Sequence, residues 1–106
     1  EQQMIETLIA GLTCGIATFY GMGDGFHGKT TANGERFSAY SNTAAHPYLP
    51  MGTRLRVTNQ DNMRQVIVRV NDRGPYAHAD IDLSYNAFNT IAPPSQGRAT
   101  VCWRVV

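Results

Sequence analysis

In residues 64–71 the side chains alternate, so that Val66, Val68 and Val70 share one face and Ile67, Arg69 and Asn71 the other. Successive side chains of a β-strand point to opposite sides of its sheet, so this stretch reads as a strand buried on one face and half buried on the other. It is expected near the centre of a sheet. Residues 54–58 alternate in the same way, and Asn59, Gln60, Asp61 and Asn62 between the two runs have the chemistry of a turn, which makes the pair a β-hairpin. Asp72, Arg73, Gly74 and Pro75 end the second strand, because proline cannot donate to the ladder and glycine permits a sharp exit.

The rest of the chain supplies further short elements. Residues 15–20 read as a strand rich in Ile, Thr and aromatics, followed by a loop in which Gly21, Gly23, Gly25, Gly28 and Gly34 make up half of the 10 glycines. No strand-to-helix transition follows it and no Gly-Lys-Ser/Thr closes it, which excludes a phosphate-binding loop. Residues 80–83 alternate, after which Ser84 can cap a helix over residues 85–91 that stops at Pro93 and Pro94. Residues 98–106 form a closing strand with Ala99, Val101, Trp103 and Val105 on one face, opposite Cys102 and Val106. At the other end Met4, Ile5, Leu8, Ile9 and Leu12 recur at helical steps, so residues 1–13 are expected to form a helical extension packed on a domain of residues 14–106. Short strands with short peripheral helices and no repeat describe a small, mainly β fold, a closed barrel.

Composition narrows the function. The 106 residues suit one domain, and 42% apolar against 16% charged residues exclude disorder. A net charge of +1 lacks the concentrated excess of a nucleic-acid binder. No apolar run approaches the roughly 20 residues of a membrane span. Lys29 is the single lysine among 9 cations, a bias toward planar, multidentate contacts. Cys14 and Cys102 stand near opposite ends of the chain, without metal or redox-motif spacing. A bridge between them would close almost the whole domain into a loop and imply an oxidising compartment; the other reading is two buried thiols acting as small hydrophobes.

Of the 8 carboxylates, Glu1 and Glu6 belong to the terminal helix, Asp24 to the glycine loop and Asp61 to the hairpin turn. Glu35, Asp72 and the pair Asp80 and Asp82 sit instead at loop junctions beside strand ends, where side chains from different strands converge on one cleft. Cleavage of a glycosidic bond needs a proton delivered to the leaving oxygen and negative charge near the oxocarbenium-like centre, so a protonated and an ionised carboxyl suit it. Glu35 with Asp72 would supply that pair, although an exposed loop glutamate is also ordinary. His27, His46 and His78 come from separate loops without zinc-ligand spacing, and no metal or cofactor is expected. His46, flanked by small residues, suits a partly buried imidazole that orients a neighbour, holds a sugar hydroxyl, or is simply structural. Tyr20, Phe26, Tyr40, Tyr48 and Tyr76 present rings that could stack on sugar faces or cover the barrel ends. Asn33, Asn71, Arg36 and Arg73 add donors and acceptors for hydroxyl and acetamido groups.

The strings ATFYG (17–21), TANGE (31–35), TAAH (43–46), LPMGT (49–53), VTN (57–59), VRVNDRGP (68–75) and IDLS (81–84) occur in this order. Together they resemble the rare lipoprotein A (RlpA) family over residues 15–106. The resemblance implies a six-stranded double-psi β-barrel, the fold also used by expansins. It implies a cofactor-independent lytic transglycosylase that cleaves the bond between MurNAc and GlcNAc in peptidoglycan glycan strands stripped of stem peptides, leaving anhydro-MurNAc ends. The family's acid/base carboxyl falls on Glu35, its second carboxylate on Asp72 and its histidine on His46. Which of Glu35 and Asp72 carries the proton stays open, and Asp82, in a string similar to one that carries a key aspartate in expansins, is a rival second carboxylate. Tyr20, Asn33, Asn71, Arg73 and Tyr76 are the expected substrate contacts. The implied setting is the periplasm or the exterior of a bacterial cell, and a monomer is expected. The competing reading is a non-catalytic, expansin-like module that binds wall polysaccharide; a protease-inhibitor barrel has no supporting motif.

Overall fold

The hairpin forms as β3 (Arg54–Asn59) and β4 (Gln65–Asp72), paired antiparallel with Leu55 opposite Val68 and Val57 opposite Val66. The computed structural model describes residues 11–75 and 78–106. The other elements are β1 (Leu12–Tyr20), β2 (Thr43–Ala45), β5 (Ile81–Ser84), helix α1 (Tyr85–Ile91), a 3-10 turn at Pro94–Gln96 and β6 (Ala99–Val105). The strands close into a barrel in the order β1-β5-β2-β4-β3-β6. Two neighbouring pairs, β1 with β5 and β2 with β4, run parallel, and the others run antiparallel. Closure leaves no unpaired edge among the described strands.

The inward side chains follow the alternation of each strand. Ala17, Leu55, Val57, Val68, Val70, Ile81, Leu83 and Val101 are at most 1% exposed and fill the interior together with Phe88 and Ile91 of α1. Ser84 caps that helix as expected: its hydroxyl accepts from the Ala87 and Thr43 amides, both at 3.3 Å, and donates to the Ser41 carbonyl. One side chain thus ties β5, α1 and the approach to β2 together. The far end of the helix is held by Asn59 and Asn62, whose amide groups donate to the Ile91 carbonyl at 2.8 and 2.9 Å.

Three differences from the sequence reading have local causes. Residues 1–10, most of the expected N-terminal helix, lie outside the described residues, whereas Leu12 and Thr13 open β1 opposite Arg104 and Trp103. Strand β2 has only three residues, all buried, so alternation could not mark it. Val105 is 60% exposed although it shares the parity of Val101 and Trp103, because it lies at the outer end of the last strand. The cysteines are bridged, with Cys14 directly opposite Cys102 across the β1–β6 pair and 88 residues away in sequence. Reduction, or replacement of both cysteines by serine, should lower the unfolding free energy by about 4 to 5 kcal/mol on loop entropy; denaturant midpoints with and without reductant measure it, and coincident midpoints would contradict that estimate.

Candidate active site

The connection between β1 and β2 packs a second, smaller core onto the outside of the barrel. Phe37 and Ala39 of this loop join Tyr20 of β1 and Ala45 of β2, with Tyr85 against them. The Phe37 ring stacks on Tyr20 at 4.5 Å between centroids. Gly21 makes this approach possible: its φ is +107°, and a Cβ there would run into the Phe37 ring. Asp24 fixes the turn by accepting from the Gly21 and Phe26 amides at 2.8 and 3.1 Å, as its place in a glycine loop suggested.

Beside this small core, backbone register aligns two carboxyls. Asp82 stands opposite Thr18 on one side and Ala45 on the other. The β2–β4 pairing slips between Ala44 and Ala45, passing over Asn71 so that Asp72 faces Ala45. A bulge of this kind re-aims a side chain, and here it brings Asp72 into one row with Ala45 and Asp82. Two inter-strand steps separate the two aspartates, about 10 Å between backbones. Asp72 is fully engaged: the Tyr20 hydroxyl donates to Oδ2 at 3.1 Å, and the Ala32 and Arg73 amides donate to Oδ1 at 2.9 and 3.0 Å. Burial and the neighbouring Asp72 push the Tyr20 phenol far above its usual range, so it remains a donor. Among the described residues Asp82 receives one hydrogen bond, from Thr18 Oγ1 at 3.0 Å. Burial pushes its carboxyl up to about 6 despite that bond, with the charges of Asp24 and Asp72 adding to the rise.

Glu35 has the opposite environment. In the loop before it, Asn33 Oδ1 accepts from Thr31 Oγ1 at 2.6 Å and from the Glu35 amide at 3.1 Å, and the Asn33 amide donates to the Asn71 carbonyl at 3.2 Å. The Glu35 carboxylate accepts from Asn33 Nδ2 at 2.6 Å and from both guanidinium nitrogens of Arg69, at 2.6 and 2.9 Å. Those bonds, Arg69 first, hold its carboxyl down at about 2. Glu35 is therefore ionised at neutral pH, whereas the carboxyl raised by burial is that of Asp82.

Residues 12–103 match the profile of the lytic transglycolase family. The chain belongs to the RlpA-like double-psi β-barrel family. It is 52% identical over 93 residues to the endolytic peptidoglycan transglycosylase RlpA of Campylobacter jejuni, covering 87% of this chain and 33% of that one. Its identity to the endolytic peptidoglycan transglycosylase RlpA of Pseudomonas aeruginosa is 50% over 88 residues, 82% of this chain and 25% of that one. The chain thus spans a quarter to a third of the length of these relatives. Among solved structures it is similar to the Streptomyces papain inhibitor, with a TM-score of 0.71 and 27% identity over 90% of this chain and 94% of that one. An expansin of Clavibacter michiganensis in complex with cellohexaose shares the fold, with a TM-score of 0.71 and 23% identity over 90% of this chain and 50% of that one.

Several expected site residues of this RlpA-like barrel have structural duties. His46 is 2% exposed; its Nδ1 accepts from the Tyr48 and Leu49 amides at 3.2 Å each, which leaves the proton on Nε2. Burial first, then the Arg73 charge, pushes its pKa down, so the ring is neutral, and its backbone amide donates to the Asp72 carbonyl at 3.1 Å. Arg73 clamps the same turn through Nη1, which donates to the His46 and Leu49 carbonyls at 3.1 and 2.8 Å. The Tyr20 ring, 9% exposed, is stacked inside the small core and unavailable to a sugar, whereas Phe26, Tyr40 and Tyr48 are at least 50% exposed. Asn33 is exposed beside Glu35, while Asn71 is buried and its Oδ1 has no partner among the described residues. Tyr76 lies outside the described residues. The sequence reading passed over Arg69 and Thr18 as site residues. The outward position of Arg69 was visible in the alternation of β4, but its partner lies 34 residues away.

Two titrations check these assignments. Arg69→Gln should raise the Glu35 carboxyl from about 2 toward its ordinary 4.5, read by carboxyl NMR; a value left near 2 would assign the effect to Asn33. The folded chain holds a proton on Asp82 that the unfolded chain releases, so stability should fall as pH rises from 3.8 through about 6. Asp82→Asn should flatten that slope in urea unfolding, and an unchanged slope would show that another group causes it.

Proposed function

We propose that this chain is the catalytic barrel of a peptidoglycan lytic transglycosylase, cleaving the β-1,4 bond between MurNAc and GlcNAc in glycan strands stripped of stem peptides. It acts in the periplasm or outside the cell, as a monomer. The observation that carries the reading is the row in which the β2–β4 slip sets Asp72 and Asp82 on either side of Ala45, with burial raising the Asp82 carboxyl to about 6 and Arg69 holding Glu35 ionised. The RlpA relatives, about half identical over most of this chain, support the substrate and reaction class.

In this scheme the Asp82 carboxyl donates its proton to the glycosidic oxygen as the bond to the anomeric carbon breaks. The C6 hydroxyl of the same muramyl residue attacks that carbon, and its proton passes to Asp72, which Tyr20 and two backbone amides hold in place. Water is neither consumed nor released, and the product ends in an anhydro ring. Glu35, its charge engaged by Arg69, holds Asn33 in place, and exposed Asn33 contacts the sugar. His46 and Arg73 act as positioning residues by fixing the turn that follows β2.

The test is to incubate the purified chain, Asp82→Asn and Glu35→Gln with amidase-stripped glycan strands and to weigh the soluble products by mass spectrometry. Wild type should release anhydromuramyl ends, with activity falling as pH rises through about 6. Asp82→Asn should lose about 100-fold or more. Products one water heavier would make the enzyme a hydrolase, and full activity of Asp82→Asn would return the donor role to Glu35 or Asp72. Strand binding without products would favour the expansin-like module. The match to the papain inhibitor over nearly all of that chain supports a second reading, which papain inhibition without strand cleavage would favour.

A further inference from the structure

Outside the carboxyl row, the outward faces of β3, β4 and β6 carry four arginines in register. Arg54 stands directly opposite Arg69, and Arg56 directly opposite Arg104. Like charges facing each other across strands are destabilising. Arg54, Arg56 and Arg104 are exposed, and among the described residues the ion pair of Arg69 with Glu35 is the one salt bridge. The net charge of the whole chain is only +1, so the row is a local concentration rather than a share of a general excess. Two surface cavities lie along it. One of about 250 Å³ lies between Asn42, Arg54, Ile67 and Arg69, and one of about 370 Å³ sets Arg56, Arg104, Thr58 and Gln65 beside the apolar side chains of Leu12 and Met63. Guanidinium groups beside amides and a hydroxyl are donors matched to carboxylates and to neutral sugar substituents.

We infer that Arg54, Arg56 and Arg104 form a strand-binding track that leads away from the Glu35–Arg69 pair and recognises the lactyl carboxylates of peptide-free muramyl residues. This rests on the proposed substrate. A stem peptide converts each lactyl carboxylate into an amide, so the charge recognised by the track exists only where the peptide has been removed. The glycan strand repeats that carboxylate along its length, and the row repeats guanidinium groups along the sheet, about 5 Å apart across strands and about 7 Å apart along β3. Arginine rather than lysine suits the task, because its planar fork meets a carboxylate with two parallel hydrogen bonds.

The test compares wild type with the triple variant Arg54→Gln, Arg56→Gln, Arg104→Gln, which leaves Arg69 on Glu35. Binding to insoluble amidase-stripped strands is measured at low and high salt, alongside the same strands with their carboxyls converted to methylamides and vesicles containing anionic phosphatidylglycerol. The triple variant should lose about tenfold or more in affinity for stripped strands, and wild type should bind methylamidated strands as weakly as the variant binds stripped ones. Removing facing like charges should leave the melting temperature unchanged or higher, which separates lost binding from lost folding; single variants replace the triple if it melts lower. Equal wild-type affinity for carboxylated and methylamidated strands would overturn the inference, as would arginine-dependent binding to vesicles that exceeds binding to strands. Anhydromuramyl products are scored in the same samples. Products with carboxylate-independent binding would end this inference alone, whereas carboxylate-dependent, arginine-dependent binding without products would end the transglycosylase reading and leave the track in place.

Discussion

The structure depends on β6 pairing on both sides. With β1 on one flank and β3 on the other, the last strand turns an open sheet into a ring in which every described strand has two neighbours. The interior is then sealed around a branched aliphatic core. Whatever this fold does to a ligand is done from its outside, by side chains that alternate with the core. The carboxyl row obeys that rule: Asp82 lies between inward Ile81 and Leu83, and its outward position follows from theirs. A strand that must bury every second side chain displays the others at fixed spacing, and a loop that covers part of the display decides how wet each one is.

Local surroundings account for the different characters of chemically similar groups. Asp82 lies half-buried between Thr18 and Ala45 of the neighbouring strands, and the neutral acid is favoured. Glu35 lies at the rim, about one-third exposed, with a guanidinium supplied by β4, and the anion is favoured. The segment that packs Phe37 on Tyr20 also supplies, a few residues earlier, the Asn33 amide that steadies Glu35. Gly21 permits this packing by letting the Phe37 ring approach Tyr20.

Local features were legible in the sequence, and long-range ones were not. The hairpin of β3 and β4 announced itself by period-two alternation, and Ser84 by its place immediately before the helix it caps. The bridge of Cys14 to Cys102 could be argued from their positions at the two ends, although thiols remained possible until the strands were placed side by side. Ordered motifs identified the family and with it the barrel. What stayed hidden depends on partners distant in sequence. The slip that turns Asp72 toward Ala45 is a property of two parallel strands, and the low pKa of Glu35 belongs to Arg69. The raised pKa of Asp82 comes from burial among strands distant in sequence. Three-residue β2 could not be read because a run of small buried side chains has no period. His46 was visible as a residue among small neighbours, but the backbone amides that occupy its Nδ1 were not.

The cystine also has a mechanical meaning. The chain enters the barrel at Leu12 and leaves it from β6, and these two ends are neighbours, with Leu12 paired to Arg104. Tension drawing the ends apart would peel β1 from β6 like a zipper. Only the pairs Leu12–Arg104 and Thr13–Trp103 lie outside Cys14–Cys102, so peeling meets a covalent stop almost at once. Beyond that stop the load passes from one cysteine to the other without crossing the barrel, and the carboxyl row stays unstretched while the segments on either side are pulled.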